Sequence, residues 1–165
     1  MNQQNVNKGI INNATDSWLE YEMFDNVEWR KDFFSTENGG YLVTSRRRIE
    51  EALKNTKERQ KFACEHACCL VFARSGLKIW HYEDNKPDGT YDIVCNGLKG
   101  DIKRVKGSCN VVKYAKYAIR EQGAEIVLFE LLKWNNKMRD AISEMIRKNI
   151  HGYYYVTGID KVHSF

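Results

Sequence analysis

The sequence has few of the features that mark secreted, membrane-spanning or linker-rich proteins. Its one proline, Pro87, excludes a proline-rich linker. No stretch approaches the roughly 18 apolar residues that a membrane span needs, so no membrane partner is expected. The N-terminus has no basic segment followed by an apolar run, which excludes a secretory signal there. We therefore expect the protein to remain in the cytoplasm.

The cysteines are too few and too poorly spaced for a disulfide framework. Their number is odd, and three fall within one predicted helix, so reduced and mostly buried thiols are expected. Cys64, His66 and Cys68 are metal-ligand types, but no second Cys/His pair completes the spacing of a structural zinc site. The five cysteines are Cys64, Cys68, Cys69, Cys95 and Cys109.

A chain of 165 residues with 42% hydrophobic side chains is long enough to bury a core. The first 13 residues include five Asn and two Gln, which predicts a flexible arm over residues 1–16. Aromatic and acidic residues mix after it, and predict a short helical extension over residues 17–39. The main domain is predicted to span residues 40–165.

The pattern within this domain predicts a mixed α/β fold, with a central mixed β-sheet and flanking helices. The segment 45–74 lacks Gly and Pro and predicts one long helix. Asn96-Gly97 predicts a tight hairpin between strands at 91–95 and 98–105. Further helices are predicted at 110–120 and 135–149, with strands at 41–44, 77–82, 124–131, 153–157 and near the C-terminus.

The predicted hairpin carries the candidate catalytic and metal-binding residues. Asp101 and Lys103 lie two apart on one strand, so their side chains share a face. Asp92 lies on the partner strand, about 4.8 Å away, so the two aspartates are placed to share a divalent cation. Lys103 beside them is placed to hold an attacking water or to stabilise phosphorane charge. These three residues predict metal-dependent phosphodiester hydrolysis, and oxygen ligands favour Mg²⁺ or Mn²⁺ over zinc.

The helix, the strand, Asp92 and the hairpin into Asp101-Ile102-Lys103 together resemble the PD-(D/E)xK nuclease superfamily. The segment 92–165 is similar to the tRNase toxin domains at the C-termini of bacterial contact-dependent inhibition proteins and of related mobile-element proteins. Tyr91 stands where the motif has proline. The resemblance implies a restriction-endonuclease-like core, with tRNA favoured over DNA as substrate. It also implies a cognate immunity protein as partner and delivery into a target bacterial cell.

The resemblance further calls for a glutamate from the first core helix. Glu51, Glu58 and Glu65 are seven residues apart and would lie on nearly one face of a continuous helix. Glu65 is favoured as the third metal ligand, because Cys68 and Phe72 lie on its face of the helix. An acid among apolar neighbours indicates a functional site more strongly than an acid among polar neighbours does. Glu58 is the second choice.

Positive charge is concentrated next to these residues. The segment 99–120 has seven Lys or Arg against one Asp, which suits a polyanionic partner. Lys113, Lys116 and Arg120 recur at helical spacing and form one stripe. The predicted nucleic-acid contacts are Arg104, Lys106, Lys113, Lys116 and Arg120.

Three other functions remain open from the residues alone. The chain could keep a nuclease-like fold as a non-catalytic module that binds nucleic acid or protein. It could cleave RNA without a metal, using His and Lys side chains. A cysteine nucleophile assisted by His66, His81, His151 or His163 is a third alternative, although no local motif supports it.

Overall fold

A computed structural model describes residues 14–84 and 86–165. The chain divides into two compact units, Met1–Glu83 and Asp84–Phe165. The first 13 residues of the predicted arm lie outside the described residues, whereas residues 14–16 belong to a helix. Within the described part of the chain, no helix is long and apolar enough to cross a membrane. The predicted domain 40–165 includes residues of both units, and its extent stays a prediction.

The first unit contains three strands in the order β1-β2-β3, antiparallel between β1 and β2 and parallel between β2 and β3. An aromatic cluster built on Tyr21, Tyr41 and Val43 forms a core, with Phe24, Trp29, Phe34 and Trp80 packed against it. The elements are α1 (residues 14–22), β1 (Trp29–Phe34), β2 (Tyr41–Ser45), α2 (Arg46–Leu53), α3 (Thr56–Arg74) and β3 (Lys78–His81).

The prediction of a single long helix over 45–74 is wrong in one respect, because this segment forms two helices, α2 and α3. Asn55 has an extended backbone and its side chain accepts a hydrogen bond from the Glu58 N–H at 2.9 Å. This is an N-cap, which satisfies a backbone donor that a continuous helix would have paired internally. Glu51 therefore lies on α2, and only Glu58 and Glu65 share α3.

Of the helical extension predicted over 17–39, residues 17–22 are helical, whereas the segment Trp29–Phe34 is a strand. β1 pairs with β2, and its register shifts between Lys31 and Phe33. This bulge breaks the two-residue alternation by which a strand is recognised in a sequence. The bulge explains why Trp29 and Phe34, an odd number of positions apart, both pack on the aromatic cluster.

The second unit has strands in the order β4-β5-β6-β7-β8, parallel between β5, β6 and β7 and antiparallel at either end. Helices α4 and α5 pack on one face of β6, and their core includes Val111, Met138 and Phe129. The predicted mixed α/β fold is confirmed. The elements are β4 (Ile93–Cys95), β5 (Leu98–Val105), α4 (Ser108–Glu121), β6 (Ile126–Leu131), α5 (Asn136–Arg147), β7 (Gly152–Val156) and β8 (His163–Ser164).

Candidate active site

The predicted hairpin between β4 and β5 is confirmed, and it positions the candidate residues. Asn96 and Gly97 both have positive φ, 49° and 84°, as the two central residues of a type I′ turn require. The turn places Ile93 opposite Gly100, so Asp92, just before β4, lies next to the backbone of Asp101.

Asp92 is hydrogen-bonded to the two residues that flank Asp101 in the chain, Gly100 and Ile102. Its backbone N–H donates to the carbonyl of Gly100 at 3.1 Å. Its side-chain Oδ2 accepts a hydrogen bond from the Ile102 N–H at 3.2 Å. The residue is 8% exposed. One backbone group of β5 thus holds the Asp92 backbone and another holds its carboxylate, next to Asp101 in the chain.

Asp101 is a fully buried carboxylate, and Lys103 is its ionic partner. Neither carboxylate oxygen of Asp101 has a hydrogen-bond partner within the described residues. The Lys103 Nζ forms an ion pair with Asp101 Oδ2, and its side chain is 21% exposed. Burying an acid is costly unless a cation compensates it. The arrangement therefore joins a water-excluded acid to a cation that reaches solvent.

Gln122 is a member of this cluster that the sequence did not reveal. It is the residue after α4, and its Oε1 accepts a hydrogen bond from Lys103 Nζ at 2.9 Å. Its Nε2 donates to the carbonyl of Thr90 at 3.4 Å. Gln122 thus links Lys103 to the segment that precedes Asp92. A lone glutamine at a helix end has no pattern that would identify it in advance.

The Asp92 and Asp101 side chains are of the chemical type that binds a hard divalent cation. Asp101 Oδ2 is paired with Lys103, whereas Oδ1 has no hydrogen-bond partner among the described residues, and carboxylate oxygens are the ligands that Mg²⁺ and Mn²⁺ prefer. Across residues 14–84 and 86–165, no group of three or more His, Cys, Asp or Glu is arranged to hold a metal ion. Two carboxylates suffice for Mg²⁺, which commonly keeps several waters and binds substrate phosphates.

Glu65, the predicted third ligand, belongs to a buried polar network of the first unit. Its Oε2 accepts a hydrogen bond from Arg48 at 2.8 Å and lies 3.3 Å from His81 Nε2. The Arg48 side chain is fully buried. Phe62 stacks on His81 with ring centroids 5.5 Å apart, and the Arg48 guanidinium lies 5.3 Å from the Phe62 ring centroid. This network gives Glu65 a structural role that the sequence did not predict.

The network controls the charge of its members. Burial raises the pKa of Glu65, but hydrogen bonds from His81 and Arg48 and the charges of both residues outweigh it and lower this pKa to about 2. Burial lowers the pKa of His81. Glu65 is therefore ionised at neutral pH. As a metal ligand it stays a prediction, as does Glu58, which lies in the first turn of α3.

A second buried acid in the first unit also escaped prediction. Asp32 Oδ2 lies 3.0 Å from His66 Nε2 and accepts a hydrogen bond from Thr44, while Oδ1 pairs with Arg30. Burial raises the pKa of Asp32, but these hydrogen bonds and the charge of Arg30 lower it to about 2. Asp32 and His66 are far apart in sequence, so only the fold brings them together.

The cysteine-nucleophile alternative receives little support at Cys95. This residue is buried in β4, and burial raises the pKa of its thiol to about 12. The reactive thiolate is therefore scarce at neutral pH. The five cysteines are thiols that form no disulfide, with Cys68, Cys69 and Cys95 buried and Cys64 and Cys109 exposed.

The predicted nucleic-acid contacts lie in two places. Arg104 points to the face of β5 opposite Lys103 and pairs with Glu130 at 2.8 Å, while Lys106 is exposed at the end of the strand. Lys113, Lys116 and Arg120 line one hollow of about 420 Å³ on α4, together with the exposed Tyr117. These three cations form a surface with which a phosphate backbone can pair.

Comparison with solved structures finds a chain of the CdiA-CT/CdiI toxin and immunity complex from Burkholderia pseudomallei. The TM-score is 0.54 and the identity is 9%, over 68% of this chain and 89% of that chain. At this identity the similarity shows a shared fold. No family model matches the sequence, and no curated protein matches it. Membership of the PD-(D/E)xK superfamily stays a prediction.

Proposed function

We propose that this chain is a metal-dependent endonuclease that hydrolyses phosphodiester bonds, with RNA favoured over DNA. The observation that carries the proposal is the ion pair between Lys103 and the buried Asp101, with the Asp92 carboxylate fastened to the residue between them. Asp101 Oδ1 has no hydrogen-bond partner among the described residues, so it can accept a further cation. Asp101 would then serve as a ligand of the metal ion.

Each residue of the cluster has a part in the reaction. Asp92 and Asp101 would hold Mg²⁺ or Mn²⁺, which supplies Lewis-acid stabilisation of the phosphate when bound. Hydrolysis forms a bond from a water oxygen to phosphorus, breaks one ester P–O bond and transfers a proton to the leaving oxygen. Lys103 reaches solvent beside Asp101, so its ammonium can hold that water or stabilise the added negative charge. Gln122 keeps the ammonium in place.

A toxin domain that cleaves tRNA is the biological role we favour. The fold is shared with a chain of a toxin and immunity complex, which supports this role and a cognate immunity protein as partner. The α4 surface supports a polyanionic substrate, since Lys113, Lys116 and Arg120 surround one hollow. A second hollow of about 400 Å³ shares Lys116 and Arg120 and adds Lys148. The cationic surface thus extends beyond α4.

The proposal is tested by incubating the protein with total tRNA and, separately, with plasmid DNA. Each reaction is run with Mg²⁺, with EDTA, and with EDTA followed by excess Mg²⁺. We expect cleavage of tRNA that EDTA abolishes and Mg²⁺ restores, and that Asp92→Asn removes. Asp140→Asn is the matched control, because Asp140 is exposed on α5.

The same experiment separates the alternatives. Cleavage that survives both EDTA and Asp92→Asn would contradict the metal-dependent mechanism and favour a metal-independent RNase. Tight binding of tRNA without cleavage in Mg²⁺ or Mn²⁺ would favour a non-catalytic binding module. Plasmid cleavage without tRNA cleavage would support the proposed active site but show that DNA, not tRNA, is the substrate.

A further inference from the structure

Three aromatic side chains stack in the second unit, outside the candidate active site. Tyr154 of β7 stacks with Trp134, which lies two residues before α5, at 5.6 Å between ring centroids and 5° between planes. Tyr154 also stacks with His163 of β8 at 5.0 Å and 20°. Near-parallel rings at these separations form an ordered π-surface.

The inner ring of this stack is anchored and the outer rings reach solvent. Tyr154 is half-buried, and its ring lies 6.3 Å from that of Phe165, which packs with it on the core. Trp134 is 45% exposed and His163 is also exposed. The tryptophan therefore presents accessible ring surface in an orientation that stacking already fixes. Binding of a planar ligand would therefore cost little side-chain entropy at Trp134.

The chain on either side of Trp134 carries positive charge. Lys133 precedes it and Lys137 lies in the first turn of α5, and both are exposed. That turn contains no acidic residue. The N-terminal end of a helix carries partial positive charge, which adds to that of the lysines. An anionic group attached to a planar ring matches this combination.

The stack lies on the same sheet face as the candidate active site. Tyr154 of β7 is in register with Phe129 of β6, and Phe129 is in register with Lys103 of β5. Side chains in register on neighbouring strands share a face, and two strand spacings separate the Lys103 and Tyr154 backbones by about 10 Å. Lys103 and Tyr154 therefore lie on one face of the sheet, with the buried Phe129 between them.

We propose that Trp134, backed by Tyr154 and His163, is a stacking platform for an unpaired base, so the substrate presents a single-stranded or looped segment. The inference rests on the proposed nuclease function and narrows its substrate. Every base has a π-face, whereas bases inside a duplex are already stacked on each other. Aromatic rings beside cations are the common means of binding single strands.

Binding of fluorescently labelled oligonucleotides in EDTA tests the platform separately from catalysis. A 12-nucleotide RNA without self-complementarity is compared with its duplex by anisotropy. Trp134→Ala is expected to weaken single-strand binding about 5- to 150-fold and to change duplex binding less than about twofold. Trp134→Phe is expected to restore part of the affinity. Trp18→Ala is the matched control, since Trp18 is 44% exposed but lies on α1.

The outcomes distinguish this inference from the proposed function. If Trp134→Ala matches Trp18→Ala on both oligonucleotides, or if the wild type does not bind the single strand, the platform is refuted. Cleavage of tRNA would then still support the nuclease. If Trp134→Ala weakens single-strand binding selectively but the wild type cleaves nothing, the platform stands and the nuclease function fails.

Discussion

Replacing Glu65 with glutamine should remove a pH-dependent part of the stability of the first unit. Burial raises the pKa of this carboxyl, but hydrogen bonds from His81 and Arg48 and the charges of both residues lower it from an ordinary 4.5 to about 2. Each pKa unit corresponds to about 1.4 kcal/mol, so the ionised form stabilises the folded state by about 3 kcal/mol. The side chain is only 13% exposed, so solvent screens it little.

The sign of the pH dependence follows from the lowered pKa. The contribution is complete above pH 4.5, where an unfolded-state glutamate is ionised, and is lost as the pH falls from 4.5 towards 2. A glutamine side chain cannot ionise, so wild type and Glu65→Gln should differ by about 3 kcal/mol at pH 7 and converge near pH 2. Removal of one partner from a buried ion pair typically costs about 3–5 kcal/mol, which agrees in size.

Urea denaturation followed by tryptophan fluorescence measures this difference. Trp18, Trp29 and Trp80 lie in the first unit, so a Trp134→Phe background makes the signal report on that unit. Glu58→Gln, two helical turns earlier on α3, is the matched control and is expected to cost less than about 1 kcal/mol. A Glu65→Gln effect that is constant between pH 7 and pH 3 would refute the ion-pair explanation.

Further variants test the second unit. Lys103→Ala should lower tRNA cleavage about 10²- to 10³-fold with little change in tRNA affinity, and an equal loss of affinity would reduce Lys103 to a phosphate contact. Gln122→Ala should lower the cleavage rate about tenfold, since a hydrogen bond to a charged group is worth about 1.5 kcal/mol, and an unchanged rate would contradict its positioning role. Gly152→Ala would place a Cβ 1.8 Å from the Val127 carbonyl oxygen. It should lower Tm by roughly 6 °C or more, whereas Gly107→Ala should leave Tm nearly unchanged.

Local sequence signals predicted the elements of the second unit well. The turn at Asn96-Gly97 has a backbone requirement that few residue pairs satisfy, so it located both strands of the hairpin. The two-residue period of a strand then placed Asp101 and Lys103 on one face, as their ion pair requires. The apolar run of β6 and the amphipathic pattern of α5 were recognised for the same local reasons.

Features that depend on a side-chain cap or on distant partners escaped prediction. Asn55 divides a segment with uniform helix propensity, because one side-chain hydrogen bond replaces a helical one. The bulge in β1 hides its alternation. Arg48, Glu65 and His81 belong to three elements, and nothing in their spacing indicates a common network. Gln122 acts through Lys103, which lies 19 residues earlier.

The cleavage rate of tRNA by Asp101→Asn tests the central claim most directly. The substitution keeps the shape of a fully buried side chain, removes its charge and replaces one acceptor oxygen with an amide donor. With saturating Mg²⁺, and with circular dichroism confirming an unchanged fold, the rate is expected to fall at least about 100-fold, while Asp140→Asn stays at the wild-type rate. A folded Asp101→Asn protein that cleaves tRNA at the wild-type rate would contradict the assignment of the active site.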